Sequence, residues 1–479
     1  MSTKSVGPNG AGAADEVADA DDYKGYREPV LGLLKQSHVT VWSTVVAVTS
    51  SGRFEGLVLP RSETSDAEHL VLKLESGYNV GLRYDTITEL TKTGYRKAIY
   101  KVPEKEFPRD DSKPNVVLFG TGGTIASRLD YRTGAVIPAF TPGELYGSVP
   151  ELADVCNLET EKLFGVFSEN MGREEYLILA ERIGEAIREG CDGVMVGHGT
   201  DTMHHTAAAL SYMVQDPPVP IVMVGSQRSS DRPSSDAARN LIAASYAAAH
   251  GPIAEVMVCM LGPTSHSYNL LHRGTRVRKM HSSYRSTFRT LGDVPLAMVN
   301  DEGLTHIHET WKPRRDDREV TIQAAFCDRV TILYYYPNMQ ADIVDAMVEK
   351  GYRGIIIAGT GLGHVNRLVY PALERAREAG VQVYMTLQTL WGFVQMNVYE
   401  TGREILQLGV IPLANMLPEA AYIKLSWALG LHPDDPDRVR ELMSTPVAGE
   451  ITDGEPHDGY LLFQGGVPEM KELLSKTLS

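Results

Sequence analysis

Apolar and polar positions along the chain fall into three successive rhythms. From 38 to 90 short β-type runs, "HVTVWSTVVAV", "RFEGLVLP", "HLVLKLES" and "NVGLRY", are separated by Gly, Ser and acidic turns. They predict a small all-β barrel of about five strands within 35–95. The stretch 102–115, "VPEKEFPRDDSKPN", is charged and proline-broken and reads as a linker. Beyond it, strand and helix alternate. "NVVLFG", "DGVMVGHG", "VPIVMVGS" and "EVMVCMLG" are buried-strand runs, and "REEYLILAERIGEAIREG" carries Leu177, Ala180, Ile183 and Ile187 near helical period. "DTMHHTAAALSYMVQ" and "SDAARNLIAASYAAAHG" read as further helices. Such alternation predicts a parallel sheet covered on both faces, here over 113–305.

A polar stretch, "HETWKPRRDDRE" at 308–319, precedes a second and shorter series. "RVTILYYYP", "ADIVDAMVEKG", "GIIIAG", "YPALERAREAG" and "VQVYMTL" place another α/β unit at 320–430. The tail 431–479 holds two short amphipathic helices, "DPDRVRELM" and "VPEMKELLSKTL". At the other end, residues 1–22 are small and acidic with almost no large apolar group, so disorder is expected there.

Composition adds exclusions. The net charge of −15, from 46 basic and 61 acidic residues in 479, argues against a surface that is basic all over. Cys156, Cys191, Cys259 and Cys327 show no C-x-x-C spacing, which favours buried reduced thiols over a disulfide framework or a zinc site. No apolar run approaches the roughly 20 residues of a membrane span, and the start lacks a signal-like pattern, so a cytoplasmic protein is expected.

In open α/β sheets ligands bind beyond the carboxyl ends of the strands, and two strand ends stand out. "FGTGGTIAS" holds Thr121 and Thr124 around Gly122 and Gly123. Glycines bend the chain sharply and turn amide N–H groups toward a ligand or a developing oxyanion, with the Thr124 hydroxyl beside them. A plain Gly-rich turn explains this segment equally well, and a Walker loop is excluded by the missing Lys-Ser/Thr. "GHGTDTMHHTA", 197–207, sets Thr200 and Asp201 at a strand end and helix start, where either residue is a natural N-cap. His198, His204 and His205 lack a completing acidic or thiolate ligand, so neutral or surface histidines are expected and no metal.

Together the two turns resemble the signatures of the L-asparaginase family of threonine amidohydrolases. "TGGTIAS" resembles its first threonine motif and "GHGTDTM" its second; "YRTGAV" falls where a flexible loop brings Tyr131 to the first threonine. "FSENM" supplies Ser168 and Glu169 at the segment that grips the substrate carboxylate, and "RVRKMHSS" supplies Lys279 at the catalytic lysine. The resemblance implies an asparaginase-like body of two parallel-sheet α/β domains, with Thr124, Thr200, Asp201 and Lys279 catalytic and the Gly122 and Gly123 amides facing the oxyanion. The chemistry agrees, because a threonine hydroxyl attacks an amide only with a base, an oxyanion site and close placement. A lysine serves as base where burial or neighbouring cations disfavour its charge, and Arg276 and Arg278 flank Lys279. Without the motif, a solvated surface lysine is the simpler reading.

Ordinary asparaginases need neither the 35–95 barrel nor the long C-terminus. With "GTGLGHVN", "QTLWGFVQMNVYETGR" and "NMLPEAAYIKLSWALG", the whole arrangement is similar to the glutaminase chains of archaeal tRNA-dependent amidotransferases. That family implies glutamine hydrolysis in this chain, with ammonia passing to an E subunit that uses ATP and Mg to amidate tRNA-bound glutamate. It further implies a homodimer of this chain, a heterotetramer with the partner, tRNA contact mainly through that partner, and no cofactor here. Glu169, where many asparaginases have an amide, and "TMHHTA", in place of an acidic pair, depart from the pattern. A free-standing L-asparaginase or glutaminase is the alternative, and a non-catalytic RNA-binding module is disfavoured by the presence of all four catalytic-type residues. Glutamine and asparagine differ by one methylene, worth about 1–3 kcal/mol in a pocket, so the motifs do not choose between them.

Overall fold

The computed structural model describes residues 20–61, 65–74, 79–95, 108–123, 127–130, 135–138, 145, 148–228, 234–263 and 267–456. Thr124, Tyr131, the second tail helix and most of the acidic N-terminal segment lie outside the described residues. The chain divides into two compact units, Met1–Tyr100 with Leu129–Ala135, and Lys101–Arg128 with Val136–Ser479.

In the first unit five strands, Ser43–Thr49, Gly52–Val58, His69–Leu74, Asn79–Arg83 and Ile87–Tyr95, form one antiparallel sheet in the spatial order fourth, third, second, first, fifth. Alternation puts Val45, Ala47, Leu70 and Leu72 in the core, against Val30 and Leu34 of the helix Val30–Gln36. Register shifts at Thr44/Val45 and Val48/Thr49 interrupt the first strand's pairing with the fifth. The buried Tyr26 hydroxyl donates to Leu59 O at 2.8 Å and accepts the Val71 N–H at 3.2 Å. The last residues of the acidic segment are structured, since Ala20–Tyr23 is a 3-10 turn and the Asp22 carbonyl accepts the Val41 N–H at 2.8 Å.

The second unit is built on an eight-stranded sheet. Its strand order is Gly303–His306, Ala297–Asn300, Asn269–Arg273, Val256–Leu261, Ile221–Val224, Gly193–Gly197, Asn115–Gly120, Asn157–Lys162. The last five are parallel and the first three antiparallel, so the sheet is mixed where the sequence predicts a parallel one. Period-2 alternation splits the parallel strands between two cores. Val194, Val196, Ile221 and Met223 face the helices Arg173–Arg188 and Met203–Met213, while Met195, Val222 and Val224 face the alanine-rich helix Ala237–His250.

A second sheet of four parallel strands follows, in the order Val330–Tyr334, Gly354–Gly359, Gln382–Leu387, Ile411–Pro412. The helix Pro418–Leu431 is buried on all sides, with Trp427 stacked on Tyr212 at 5.8 Å between ring centroids. Its residues share one hydrophobic core with both sheets. The first tail helix is Pro436–Ser444, and its Val439 and Met443 enter the same core. Cys156, Cys191 and Cys259 are buried, and burial pushes the Cys191 thiol up to about 11.

Candidate active site

Asn115–Gly120 and Gly193–Gly197 are adjacent parallel strands ending in register, Gly120 beside Gly197, so the turns that follow them lie together. Thr121 ties the two: its N–H and its hydroxyl both donate to Gly197 O, each at 3.0 Å, and the residue is buried. Gly122 and Gly123 take φ of 129° and 85°. A Cβ on Gly123 would lie 2.5 Å from Gly199 N, and one on Gly122 2.1 Å from Val166 O, so both conformation and space demand glycine.

The second turn carries the reactive-type groups. Lys279 Nζ donates to Thr200 Oγ1 at 2.9 Å and to Asp201 Oδ1 at 2.6 Å. The lysine side chain is 8% exposed and the aspartate 69%, so one side of this triad is dry and the other opens to solvent. Capping does not account for the pair. The helix begins at Met203, its N-cap position is Thr202, and the Thr202 hydroxyl donates instead to Ser168 O. That bond draws the segment 167–171 to the Thr200 turn: Ser168 is buried, and a Cβ on Gly199 would sit 2.8 Å from Ser168 Cβ. Glu169 is exposed on the 3-10 turn Ser168–Asn170.

His198 forms the floor. Its Nδ1 lies 2.6 Å from Gly199 O and its Nε2 2.8 Å from Thr206 Oγ1. A carbonyl only accepts, so Nδ1 carries the proton and Nε2 accepts the Thr206 hydroxyl. Burial lowers its pKa to about 4 and keeps the ring neutral. His204 and His205 lie side by side at 4.4 Å, both lowered by burial, with their Nδ1 atoms unpartnered among the described residues. No cluster of three or more His, Cys, Asp or Glu among the described residues could hold a metal ion.

The arginines flanking Lys279 differ from expectation. Arg276 is buried and donates to Asn415 O at 2.8 Å and Glu450 O at 3.0 Å, while Arg278 pairs with Glu419 at 2.9 Å. Arg278 is thus answered by a carboxylate and Arg276 by main-chain carbonyls, with the Arg276 Nε and Nη2 buried and unpartnered among the described residues. Glu419 is the partner that the sequence did not expose, because an acid after Pro418 in a first helical turn reads as ordinary helix chemistry. A cavity of about 760 Å³ lies elsewhere, and four of the groups lining it, Glu255, Arg273, Asp293 and His308, are engaged with one another.

Residues 115–312 match the model of the asparaginase N-terminal domain, and 329–443 that of the glutaminase/asparaginase C-terminal domain. Residues 42–92 match the GatD N-terminal domain. The GatD chain of the glutamyl-tRNA(Gln) amidotransferase of Thermococcus kodakarensis is 48% identical over 410 residues, 85% of this chain and 92% of that one. The chain belongs to the GatD family. The GatD relative from Methanopyrus kandleri is 45% identical over 442 residues, 89% of this chain and 96% of its own. Among solved structures, the thermostable L-asparaginase from Thermococcus kodakarensis matches with TM-score 0.63 at 30% identity, and L-asparaginase I from Vibrio cholerae with 0.62 at 26%. Each covers 71% of this chain but 100% and 99% of itself, so a whole asparaginase fits inside a GatD body and leaves the N-terminal sheet over.

Proposed function

We propose that this chain is the glutamine-hydrolysing subunit of a tRNA-dependent amidotransferase, releasing ammonia that a partner subunit uses to convert glutamyl-tRNA(Gln) to glutaminyl-tRNA(Gln). The observation that carries the chemistry is the single lysine nitrogen held between the Thr200 hydroxyl and the Asp201 carboxylate. In its neutral form Lys279 accepts the threonine proton as the hydroxyl attacks the carboxamide carbon, and Asp201 orients the amine and stabilises it once protonated. The same proton then goes to the leaving nitrogen as the C–N bond breaks and ammonia departs, and water hydrolyses the resulting threonine ester to glutamate and the free hydroxyl. The Gly122 and Gly123 amides are assigned to the oxyanion. Ser168 and Glu169 are assigned to the substrate's α-carboxylate end, Thr124 of the first motif to catalysis, and Tyr131 of the segment "YRTGAV" to substrate binding. Asp201, exposed on one side, also suits the substrate's α-amino group.

The domain at 42–92 favours this reading over a free-standing asparaginase or glutaminase, since the solved asparaginases are complete without it. ATP, Mg and most tRNA contacts belong to the partner, and this chain needs no cofactor of its own. A homodimer joined through the asparaginase-like body and a heterotetramer with the partner are the assembly we propose.

The test is ammonia release from glutamine and from asparagine, by the chain alone and after adding partner and then charged or uncharged tRNA. Near-silence of the isolated chain with strong activation by partner and glutamyl-tRNA is expected, because free ammonia diffuses away or is protonated before a distant acceptor can use it. Such gating requires the partner to bind the competent state better than the idle one. Rapid release by the chain alone, indifferent to every addition, would favour the free-standing amidohydrolase.

A further inference from the structure

The strand that carries Lys279 is only Val277–Lys279, paired with Phe288–Thr290 in a two-stranded ribbon. A two-stranded ribbon is marginal by itself in water, so its position is set by what its two faces touch. Side chains alternate, placing Val277 and Lys279 on one face, and Arg278 with the preceding Arg276 on the other. The first face meets the Thr200 turn and the core below it, where Val277 is buried. The second meets the segment that opens the helix Pro418–Leu431. There Arg276 donates to Asn415 O, and Arg278 meets Glu419 Oε1 at 2.9 Å with side chains 25% and 9% exposed. The Tyr334 hydroxyl donates to the same oxygen at 3.2 Å. Glu419 sits in the first turn of a helix buried on all sides, and its Oε1 takes both Arg278 and Tyr334 while its Oε2 is buried without a hydrogen-bond partner among the described residues.

We infer that Glu419, acting through Arg278, is a positioning residue that fixes the distance between Lys279 and Thr200. The carboxylate holds the guanidinium, the guanidinium holds the ribbon, and the next residue of the ribbon presents the lysine nitrogen to the hydroxyl. The inference rests on Lys279 acting as the base proposed above. A reacting group displaced by even 1 Å costs on the order of 10²-fold in rate, so a loosened ribbon damages turnover before it damages substrate binding.

The experiment uses the full chain with its partner and charged tRNA, and measures glutamine-dependent and ammonia-dependent amidation side by side. Glu419→Gln keeps the size and removes the charge; Arg278→Lys keeps the charge and removes the planar fork. Each is expected to lower kcat with glutamine by about 10- to 100-fold, leaving KM within about twofold and the ammonia reaction unchanged. The exchange of Arg278→Glu with Glu419→Arg in one chain is expected to recover at least about tenfold over either single reversal. Unchanged kcat in both conservative variants, a loss confined to KM, or an exchange no better than its singles each overturn the inference. Should Glu419→Gln fail to assemble, Arg278→Lys carries the same kcat test. Lys279→Met separates the two levels: if it is inactive while the conservative variants are normal, only the positioning role falls; if it is active, the assignment of the base falls.

Discussion

Two lysine–carboxylate pairs in the same body share a chemistry and differ in everything around it. Lys279 reaches Asp201 at 2.6 Å, with the carboxylate 69% exposed, whereas Lys424 and Glu450 are both fully buried and in contact. The sealed lysine also donates to Thr445 O at 2.6 Å, and Glu450 accepts the N–H groups of Val447 and Ala448 at 2.9 and 2.7 Å. Burial pushes the Lys424 ammonium downward and Glu450 opposes that push. The open lysine gives its other contact to a hydroxyl, Thr200. A pair that pins a helix to a tail is stable when every polar atom has a partner. A pair that moves a proton needs one side free for a substrate. The role of an ion pair is therefore read from the third groups it touches, since the two lysine–carboxylate contacts themselves are nearly alike.

Lys279→Met is the sharpest cut at this contrast. Glutamine-dependent amidation by the complex should fall by about 10²- to 10⁴-fold, with melting temperature and ammonia-dependent amidation unchanged. A matching loss of the ammonia reaction would make the open pair structural like the sealed one. Lys424→Met should do the reverse, stranding the buried Glu450 carboxylate and costing about 3–5 kcal/mol in urea unfolding, with normal turnover in the molecules that remain folded.

The eight-stranded sheet was half legible. Four of the five parallel strands are largely buried and read as unbroken apolar runs such as "IVMV" and "VMVCML", while the edge strand Asn157–Lys162, "NLETEK", is polar and half exposed and carried no such signal. The antiparallel strand Asn269–Arg273 escaped because Asn269, His272 and Arg273 spoil its apolar pattern. Each is buried and answered by a distant group: Asn240 at 2.7 Å, Thr290 at 2.9 Å and Glu255 at 2.8 Å. At the site, motif order brought out Thr200, Asp201 and Lys279, while spacing alone favoured a solvated lysine. No local pattern pointed to Glu419, since its partner Arg278 is remote in sequence.

Acid supplies a third test, because the floor of the open pair titrates. His198 and His272 are buried with pKa values lowered to about 4 and about 3, so the unfolded chain binds protons that the native chain refuses. Stability is then complete above the ordinary histidine value near 6.5 and falls as the pH drops toward 4. At roughly 1.4 kcal/mol per unit, His198 accounts for about 3 kcal/mol of that fall. Unfolding free energies measured from pH 7 to pH 4 should show the slope, and His198→Gln should reduce it while the buried His204, His205 and His272 keep the remainder; an unchanged slope would remove His198 from the account. The smallest effect is expected from neutralising the sealed pair completely. Lys424→Met combined with Glu450→Gln should recover all but about 1 kcal/mol of the single-lysine loss, since the amide oxygen can still accept an N–H from the 447–448 segment.

The buried helix Pro418–Leu431 sets a timetable for synthesis. The five N-terminal strands form a contiguous early stretch of the chain and can fold as soon as they emerge. The large sheet cannot: the helix that seals its core, together with Val439 and Met443, is made more than a hundred residues after the last of its eight strands, Gly303–His306. At roughly 5–20 residues per second the ribosome holds that apolar face uncovered for about ten seconds or more. A ribosome-stalled chain ending before the helix should therefore carry a folded head and a protease-sensitive body, and truncation anywhere before Met443 should yield a protein that chaperones retain.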